Sequence, residues 1–247
     1  MINFKVIIPV FNSQDWISKC LESLISQKCT NWQSVVIDDN STDGTLEQIK
    51  SVIKKHDVMS NFKVLKRSLN VGALENIVYG ISMICSDDED VIVLLDGDDW
   101  FPNDEVLSYL NDVYLKEDVW VTYGSFESHL GIHSGFCKPI SVPIESYRKS
   151  TWVTSHLRTF KYWLWKNVKN EDLKDHAGKY YSMAWDMAIM FPLLEMSGMD
   201  KIKFIDRIMY VYNDMNPIND FRKNIMNQIS TANEIKSKKP YSRIEKK

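Results

Sequence analysis

The chain has 247 residues and a formal net charge of −3, and 44% of its residues are hydrophobic. This composition is that of an ordinary globular protein, and the length allows one large domain. The small negative charge gives no sign of a nucleic-acid partner, and no apolar run approaches the ~20 residues of a membrane span. We therefore expect a cytoplasmic protein that binds no nucleic acid, while peripheral contact with a membrane stays open.

Four short apolar segments in the first hundred residues predict buried strands, at residues 4–10, 32–39, 62–67 and 90–96. Apolar residues at helical spacing follow each segment, and capping or first-turn residues mark the predicted helix starts: Ser41, Thr42, Asp43, Asn70 and Pro102. Strand and helix thus alternate four times. This pattern predicts the α/β class, with a mostly parallel central sheet flanked by helices.

The regular alternation fades after about residue 118. Residues 119–126 and 203–212 predict two further strands, and residues 155–168 and 181–198 predict helices. The tail, residues 236–247, is basic and poor in apolar residues. We expect this tail to be frayed, or to link to further domains beyond the C-terminus.

Three carboxylates follow the fourth predicted strand directly, in the stretch "LLDGDDW". Asp96, Asp98 and Asp99 would raise each other's pKa unless a cation neutralises them. Carboxylate oxygens suit Mg²⁺ or Mn²⁺, and protein-bound Mg²⁺ is usually shared with substrate phosphates. The stretch therefore predicts a divalent metal site and a phosphate-bearing substrate.

Polar residues also follow the first two predicted strands, at Pro9–Asn12 and Asp38–Asp43. Ligands of parallel sheets bind beyond the carboxyl ends of the strands, so these clusters would line one crevice if the first and fourth strands are neighbours. Asp39 could accept a hydrogen bond there from a base N–H or a ribose hydroxyl. The sequence lacks GxGxxG after the first strand and lacks GxxxxGK[ST], which disfavours ordinary dinucleotide and P-loop sites.

Two chemistries place aspartates after a buried strand. In an aspartyl-phosphate phosphatase, Asp96 would be the nucleophile and Asp98 the acid and base, but Trp100 stands where the DxDx[TV] motif has Thr or Val. In a nucleotide-sugar site, the aspartates hold a metal ion on a diphosphate. Asp38 and Asp39, at the end of the second predicted strand, favour the nucleotide-sugar site.

Four segments together resemble family 2 glycosyltransferases with the GT-A fold: "VIIPVFN", "VVIDDNSTDGT", "LNVGALEN" and "VIVLLDGDDW". The resemblance covers about residues 3–115. It implies that Pro9, Val10 and Asn12 border the nucleotide, that Asp39 reads the base, commonly uracil, and that Asp96 lies near the ribose. It also implies that the last two acids of the stretch, Asp98 and Asp99, reach the metal ion, Mn²⁺ or Mg²⁺.

The second half resembles the family more loosely. The segment "AWDMAIMFPLLEMSG" is similar to the family's general-base segment, which makes Asp186 the base; Trp185 stands where a Glu is common. For the segment "SHLRTFKYWLW", the resemblance implies that His156 is a metal ligand and that Arg158 contacts the donor diphosphate or the acceptor. The alternatives are a helix-capping Asp186 and a packing helix with exposed His156 and Arg158.

We therefore expect one GT-A domain over residues 1–235, with a nucleotide-sugar-binding half at 1–115 and an acceptor-side half at 116–235. The expected reaction moves a sugar, with inversion, from a nucleoside diphosphate sugar, most simply a UDP-sugar, to a hydroxyl acceptor on a glycan or glycoconjugate. The rival hypotheses are an Asp-nucleophile phosphatase and a catalytically silent nucleotide-sugar-binding module.

Overall fold

The computed structural model of the protein describes residues 1–131, 134–217 and 225–246. Its strands within these ranges are β1 (Phe4–Val10), β2 (Trp32–Asp38), β3 (Phe62–Lys66), β4 (Val91–Leu94), β5 (Val121–Ser128), β6 (Ser155–Lys161) and β7 (Ile202–Tyr212). Its α-helices there are α1 (Ile17–Ile25), α2 (Thr45–Lys55), α3 (Ala73–Ile84), α4 (Val106–Lys116), α5 (Tyr162–Trp165), α6 (Trp185–Ser197) and α7 (Ile225–Ser237). No helix among the described residues has the length and apolar character that a bilayer crossing needs.

One sheet contains all seven of these strands, in the order β3-β2-β1-β4-β6-β5-β7. β1, β2, β3 and β4 are parallel, β6 runs antiparallel to both β4 and β5, and β5 pairs in parallel with β7. The α/β prediction is confirmed, and β1 and β4 are neighbours as the shared crevice requires. Apolar side chains fill both faces of the sheet, which explains why the parallel strands are continuous apolar runs.

Helix starts in the first half differ slightly from prediction. The N-cap of α2 is Gly44, and Asp43, one residue earlier, accepts a hydrogen bond at Oδ1 from the backbone N–H of Thr45 at 3.0 Å. The third helix begins at Ala73, after Gly72 with φ of 89°, and not at Asn70. The fourth begins at Val106, so Pro102 lies in the preceding bend and not in the first helical turn.

The helix predicted over residues 155–168 is wrong. Residues Ser155–Lys161 form the buried strand β6, and only Tyr162–Trp165 are α-helical. The polar side chains of this strand have partners remote in sequence: Thr159 Oγ1 lies 2.8 Å from Tyr114 Oη and 2.6 Å from Thr122 Oγ1. These pairs make burial of a polar strand favourable, and no local pattern in the sequence reports them.

The basic tail is docked and not frayed. The backbone N–H of Tyr241 donates to Glu195 Oε2 at 2.9 Å, and that of Ile244 donates to the Met196 carbonyl oxygen at 3.0 Å. Glu195 also forms a buried two-bond ion pair with Arg148, at 2.5 and 2.9 Å. The Arg148 guanidinium donates further to the Ile235 carbonyl oxygen at 2.7 Å. One ion pair therefore joins α6, α7 and the tail.

Candidate active site

The polar clusters after β1, β2 and β4 meet at the carboxyl edge of the sheet. Gly97 allows the acidic stretch to approach β1 closely: its backbone N–H donates to the Pro9 carbonyl oxygen at 3.0 Å. A Cβ atom at position 97 would lie 2.5 Å from the Cβ atom of Val10. The antiparallel strand β6 begins at the same edge, because its pairing with β4 sets Arg158 opposite Leu94.

Asp96, Asp99 and His156 bring one potential ligand atom each to a common point. These three atoms all lie within 4.8 Å of one another. Two of the three predicted metal ligands, Asp99 and His156, belong to this group, and Asp96, which was expected near the ribose, is the third. Asp98 lies beside the group, where its Oδ2 accepts a hydrogen bond from Asn216 Nδ2 at 2.8 Å.

Asp99 is held by the end of β7. Its Oδ2 accepts a 2.6 Å hydrogen bond from Tyr210 Oη, and its Oδ1 accepts one from the backbone N–H of Asn213 at 2.7 Å. Burial raises the pKa of the Asp99 carboxyl well above its ordinary value, and the charges of Asp98 and Asp96 raise it further. A cation at this point would remove that penalty, because it favours the ionised carboxylate.

His156 and Arg158 extend from β6 beside these acids. His156 Nε2 lies 2.6 Å from Arg158 Nη2 and 3.7 Å from Asp96 Oδ2. A guanidinium only donates, so Nε2 is the acceptor and Nδ1 carries the proton, 3.1 Å from Ser155 Oγ. Burial, followed by the Arg158 charge, lowers the pKa of His156 to about 4. The ring is therefore neutral at pH 7, and its Nε2 lone pair is engaged by Arg158.

The ring of His156 is fixed by aromatic neighbours. It stacks on Tyr210 with ring centroids 4.4 Å apart and an interplanar angle of 16°, and it meets Phe126 edge-on at 5.4 Å. Asp96 stays ionised beside it: burial would raise the pKa of Asp96, but the adjacent His156 and the Arg158 charge outweigh burial and lower it.

Asp39 lies at the end of β2 and forms hydrogen bonds with the loop before α3. Its Oδ1 accepts from the backbone N–H of Val71 at 2.9 Å, and its Oδ2 accepts from that of Gly72 at 2.8 Å. Only 3% of the residue is exposed. The carboxylate keeps further lone pairs, so base recognition by Asp39 stays a prediction, with the added role of holding this loop.

The β1 end is shaped by Asn12, which has a left-handed φ of 45°. Its Oδ1 accepts from the backbone N–H of Thr42 at 2.9 Å, and its own backbone N–H donates to Ser41 Oγ at 2.9 Å. Asn12 therefore joins the ends of β1 and β2. Pro9 and Val10 are buried at the end of β1, in contact with the acidic stretch through Gly97.

Asp186 lies in the first turn of α6, directly after Trp185 and the left-handed Ala184. Its charge acts on His156 and on Cys137, so it lies within electrostatic reach of the acidic site. The Trp185 ring covers Arg158, whose Cζ atom is 4.9 Å from the ring centroid. α6 and β6 thus bring Asp186, Trp185, Arg158 and His156 into one neighbourhood.

Comparison with known proteins agrees with this architecture. Residues 5–135, just over half of the chain, match the model of the family described as Glycosyl transferase family 2. The chain belongs to glycosyl transferase family 2. Among curated family members, it is 30% identical to the poly(ribitol-phosphate) beta-glucosyltransferase of Bacillus spizizenii over 122 residues, which are 47% of this chain and 18% of that protein. It is 28% identical to an uncharacterized glycosyltransferase of Haemophilus influenzae over 121 residues, 49% of this chain and 46% of that one.

Solved structures share the GT-A fold with this family 2 chain. Residues 1–349 of Staphylococcus aureus TarS superimpose with a TM-score of 0.65 at 21% identity, over 86% of this chain and 60% of that one. A Pyrobaculum calidifontis mannosyltransferase in complex with GDP-Man and Mn²⁺ superimposes with a TM-score of 0.58 at 15% identity, over 85% of this chain and 56% of that one. The chain spans less than a fifth of its first curated relative and about three-fifths of the TarS fragment.

The residues of this family 2 site fit a divalent ion. Two carboxylates and one neutral imidazole converge within 4.8 Å, a donor set compatible with Mn²⁺. Nε2 of His156 has one lone pair, which Arg158 Nη2 uses in the present structure. Coordination through Nε2 would therefore replace Arg158 as the partner of His156.

Sequence reasoning missed three residues that support the site. Tyr210 and Asn213 hold Asp99, and Asn216 holds Asp98. All three lie at or just after the end of β7, more than a hundred residues from the acids they contact. The polar run "NDMN" directly after a predicted strand was the available signal, because it repeats the pattern seen after the first, second and fourth strands.

Proposed function

We propose that the chain transfers a sugar, with inversion, from a nucleoside diphosphate sugar to a hydroxyl of a glycan or glycoconjugate, and that the donor nucleotide is UDP. The observation that carries the proposal is the group formed by Asp96, Asp99 and His156 at the carboxyl edge of a family 2 sheet. The TarS structure solved with UDP-GlcNAc, which matches at a TM-score of 0.62 and 20% identity, supports the choice of donor.

Mn²⁺ or Mg²⁺ is the proposed cofactor, held by Asp99 and His156 with Asp98 or Asp96. When bound, such an ion supplies positive charge that stabilises the diphosphate as it leaves the sugar. Asp98 is the ligand expected from the family resemblance, and Asp96 is the one that the grouping of atoms favours. Comparing the two alanine variants separates these assignments.

Arg158 is the proposed protein cation for the diphosphate. The guanidinium is buried on β6, 2.6 Å from His156, and thus beside the acids that receive the ion. A planar guanidinium can donate to two oxygens of a diphosphate at once. Pro9, Val10, Asn12 and Asp39 would border the nucleoside at the ends of β1 and β2.

Asp186 is the proposed general base. Its carboxylate would take the proton from the acceptor hydroxyl while the acceptor oxygen bonds to the anomeric carbon. The bond between that carbon and the diphosphate oxygen breaks in the same step, and the nucleoside diphosphate leaves with both electrons of that bond. Attack opposite the leaving group inverts the anomeric configuration.

The test is incubation of the protein with a panel of nucleotide sugars and Mn²⁺, followed by measurement of nucleotide release with and without acceptor glycans. We expect release from a UDP-sugar, loss of release in excess EDTA, and loss in Asp98→Ala. Full activity in EDTA would contradict the metal proposal.

The same experiment separates the rival functions. UDP and Mn²⁺ binding without release from any donor would identify a silent binding module. Release of inorganic phosphate, with a trapped phosphoaspartate at Asp96, would identify a phosphatase.

A further inference from the structure

Arg158 is a buried cation with an unsatisfied donor. The residue is 3% exposed, and its Nη2 donates to the neutral ring of His156. Its Nε atom is buried and has no hydrogen-bond partner among the described residues. A buried N–H without a partner is costly, so this atom points to an acceptor that a ligand supplies.

Trp185 covers one face of this guanidinium. The Arg158 Cζ atom lies 4.9 Å from the indole ring centroid, within the range of a cation–π contact. A ring over the face of a guanidinium stabilises the cation and leaves the N–H groups, which lie in the plane of the group, free to donate. Trp185 thus stabilises the positive charge of Arg158 and leaves its N–H groups available for hydrogen bonds.

A carboxylate at position 185 would act differently. Family resemblance gives Glu as the common residue there, and Glu would accept one or two of the guanidinium N–H groups directly. The indole cannot accept in this way, because its nitrogen is a donor only. In this chain the donors of Arg158 therefore remain for His156 and for a ligand.

The bond to His156 is the one that ion coordination would remove, since Nε2 has a single lone pair. Arg158 would then keep Trp185 as its contact while Nη2 and Nε both become available. Two donors on one edge of a guanidinium match two oxygens of a phosphate group.

We infer that Trp185 is a positioning residue, which holds Arg158 with its N–H edge toward the diphosphate of the donor. This inference rests on the proposed function. Trp185 acts through Arg158, so its contribution must disappear when Arg158 is absent.

The test is a double-mutant cycle on UDP affinity, measured by calorimetry with and without Mn²⁺ and accompanied by donor KM and kcat. Trp185→Leu, which keeps an apolar cover and removes the aromatic ring, should weaken UDP binding about three- to thirtyfold. Donor KM should rise more than kcat falls. Trp185→Phe, which keeps an aromatic ring, should retain most of the wild-type UDP affinity. Trp185→Glu should bind UDP most weakly, because the new carboxylate would itself accept the N–H groups of Arg158.

In the Arg158→Ala background, Trp185→Leu should change UDP affinity by less than twofold. Trp152→Leu is the matched control: this half-buried Trp packs on Tyr147 and Phe191 in the same half of the chain. It should lower the melting temperature and leave UDP affinity unchanged. If Trp185→Leu does not fold, Trp185→Met takes its place in the cycle.

UDP affinity of Trp185→Leu within twofold of wild type, or an equal loss with and without Arg158, would overturn the inference. Either result leaves the proposed function intact as long as the wild-type protein binds UDP and releases it from a sugar nucleotide. A wild-type protein that does neither contradicts the proposed function itself.

Discussion

Residues 1–115 repeat one strand–helix unit four times, whereas the described residues from 116 onward combine strands of both directions, which isolated polar pairs hold together. In the first half, site residues follow directly from the ends of strands that are buried on both faces. In the second half, Asp186 comes from α6 and Arg158 and His156 come from β6, and only tertiary packing brings these two elements together. Single changes should therefore have local effects in the first half and wide effects in the second.

The largest effect is expected from Asp186→Asn in the second half. A general base contributes typically 10²–10⁴-fold, so kcat should fall by about that factor, while donor affinity stays near wild type. Steady-state kinetics at saturating acceptor, with calorimetry for UDP, measures both. Asp175→Asn is the control, because that carboxylate accepts from the backbone N–H groups of Ala177 and Lys179 in an exposed turn. A kcat for Asp186→Asn within threefold of wild type would assign the base to another residue.

Breaking the buried ion pair should be the most destabilising change in the second half. Glu195→Leu leaves Arg148 buried without its carboxylate, and the free energy of unfolding should fall by about 3–5 kcal/mol. Urea denaturation measures this loss. The double variant Glu195→Leu/Arg148→Met removes both charges and should recover most of it. Equal losses in the single and double variants would show that the tail contacts, and not the ion pair, dominate.

Gly97→Ala tests the tight packing of the first half. The new Cβ would lie 2.5 Å from the Cβ of Val10 and 3.1 Å from the Pro9 carbonyl oxygen, so the acidic stretch must shift. Overpacking of this kind costs about 1–3 kcal/mol. We expect a matching loss in urea denaturation together with weaker Mn²⁺-dependent UDP binding. Gly124→Ala, whose Cβ would meet no atom closer than 3.3 Å, should lose less; the opposite order would contradict this account.

The smallest effect is expected from Asp43→Ala, which removes the hydrogen bond to the first N–H group of α2 and should cost about 1 kcal/mol. Burial would raise the pKa of Asp43, but hydrogen bonds from Thr45 outweigh burial and lower it. A lowered folded-state pKa gives stability that is present above the ordinary carboxyl pKa and is lost as the pH falls through the folded value. The melting-temperature gap between wild type and Asp43→Ala should therefore narrow between pH 7 and pH 3. Asp43→Asn, which keeps the acceptor, should show a smaller gap at pH 7.

The first half could be predicted well because each of its signals is local. β1, β2 and β4 are buried on both faces, so their sequences are continuous apolar runs that no helix pattern imitates. The polar residues after them were then expected at the carboxyl edge, and the structure places Asn12, Asp39 and Asp96 there. Helix starts were less accurate, since Pro102 and Asn70 fit a bend or a turn as well as a first helical turn.

The second half could not be predicted in the same way, because its signals are remote. β6 has a polar residue at most positions and no alternation, since both of its faces are buried and its polar groups have partners from β5, α4 and the site. Docking of the tail could not be predicted for a related reason. It depends on Glu195, and a glutamate is ordinarily expected at the surface.

The register between β4 and β6 has a consequence for how this chain can change over evolution. Leu94 pairs with Arg158 and Val93 with Thr159, and just beyond the pairing His156 Nε2 lies 3.7 Å from Asp96 Oδ2. His156 and Arg158 lie on the same side of β6, because His156 Nε2 is 2.6 Å from Arg158 Nη2. Insertion or deletion of one residue between Arg158 and Lys161, where β6 pairs with β4, would turn both away from the acids together. The length of β6 should therefore be inherited without change, together with His156 and Arg158.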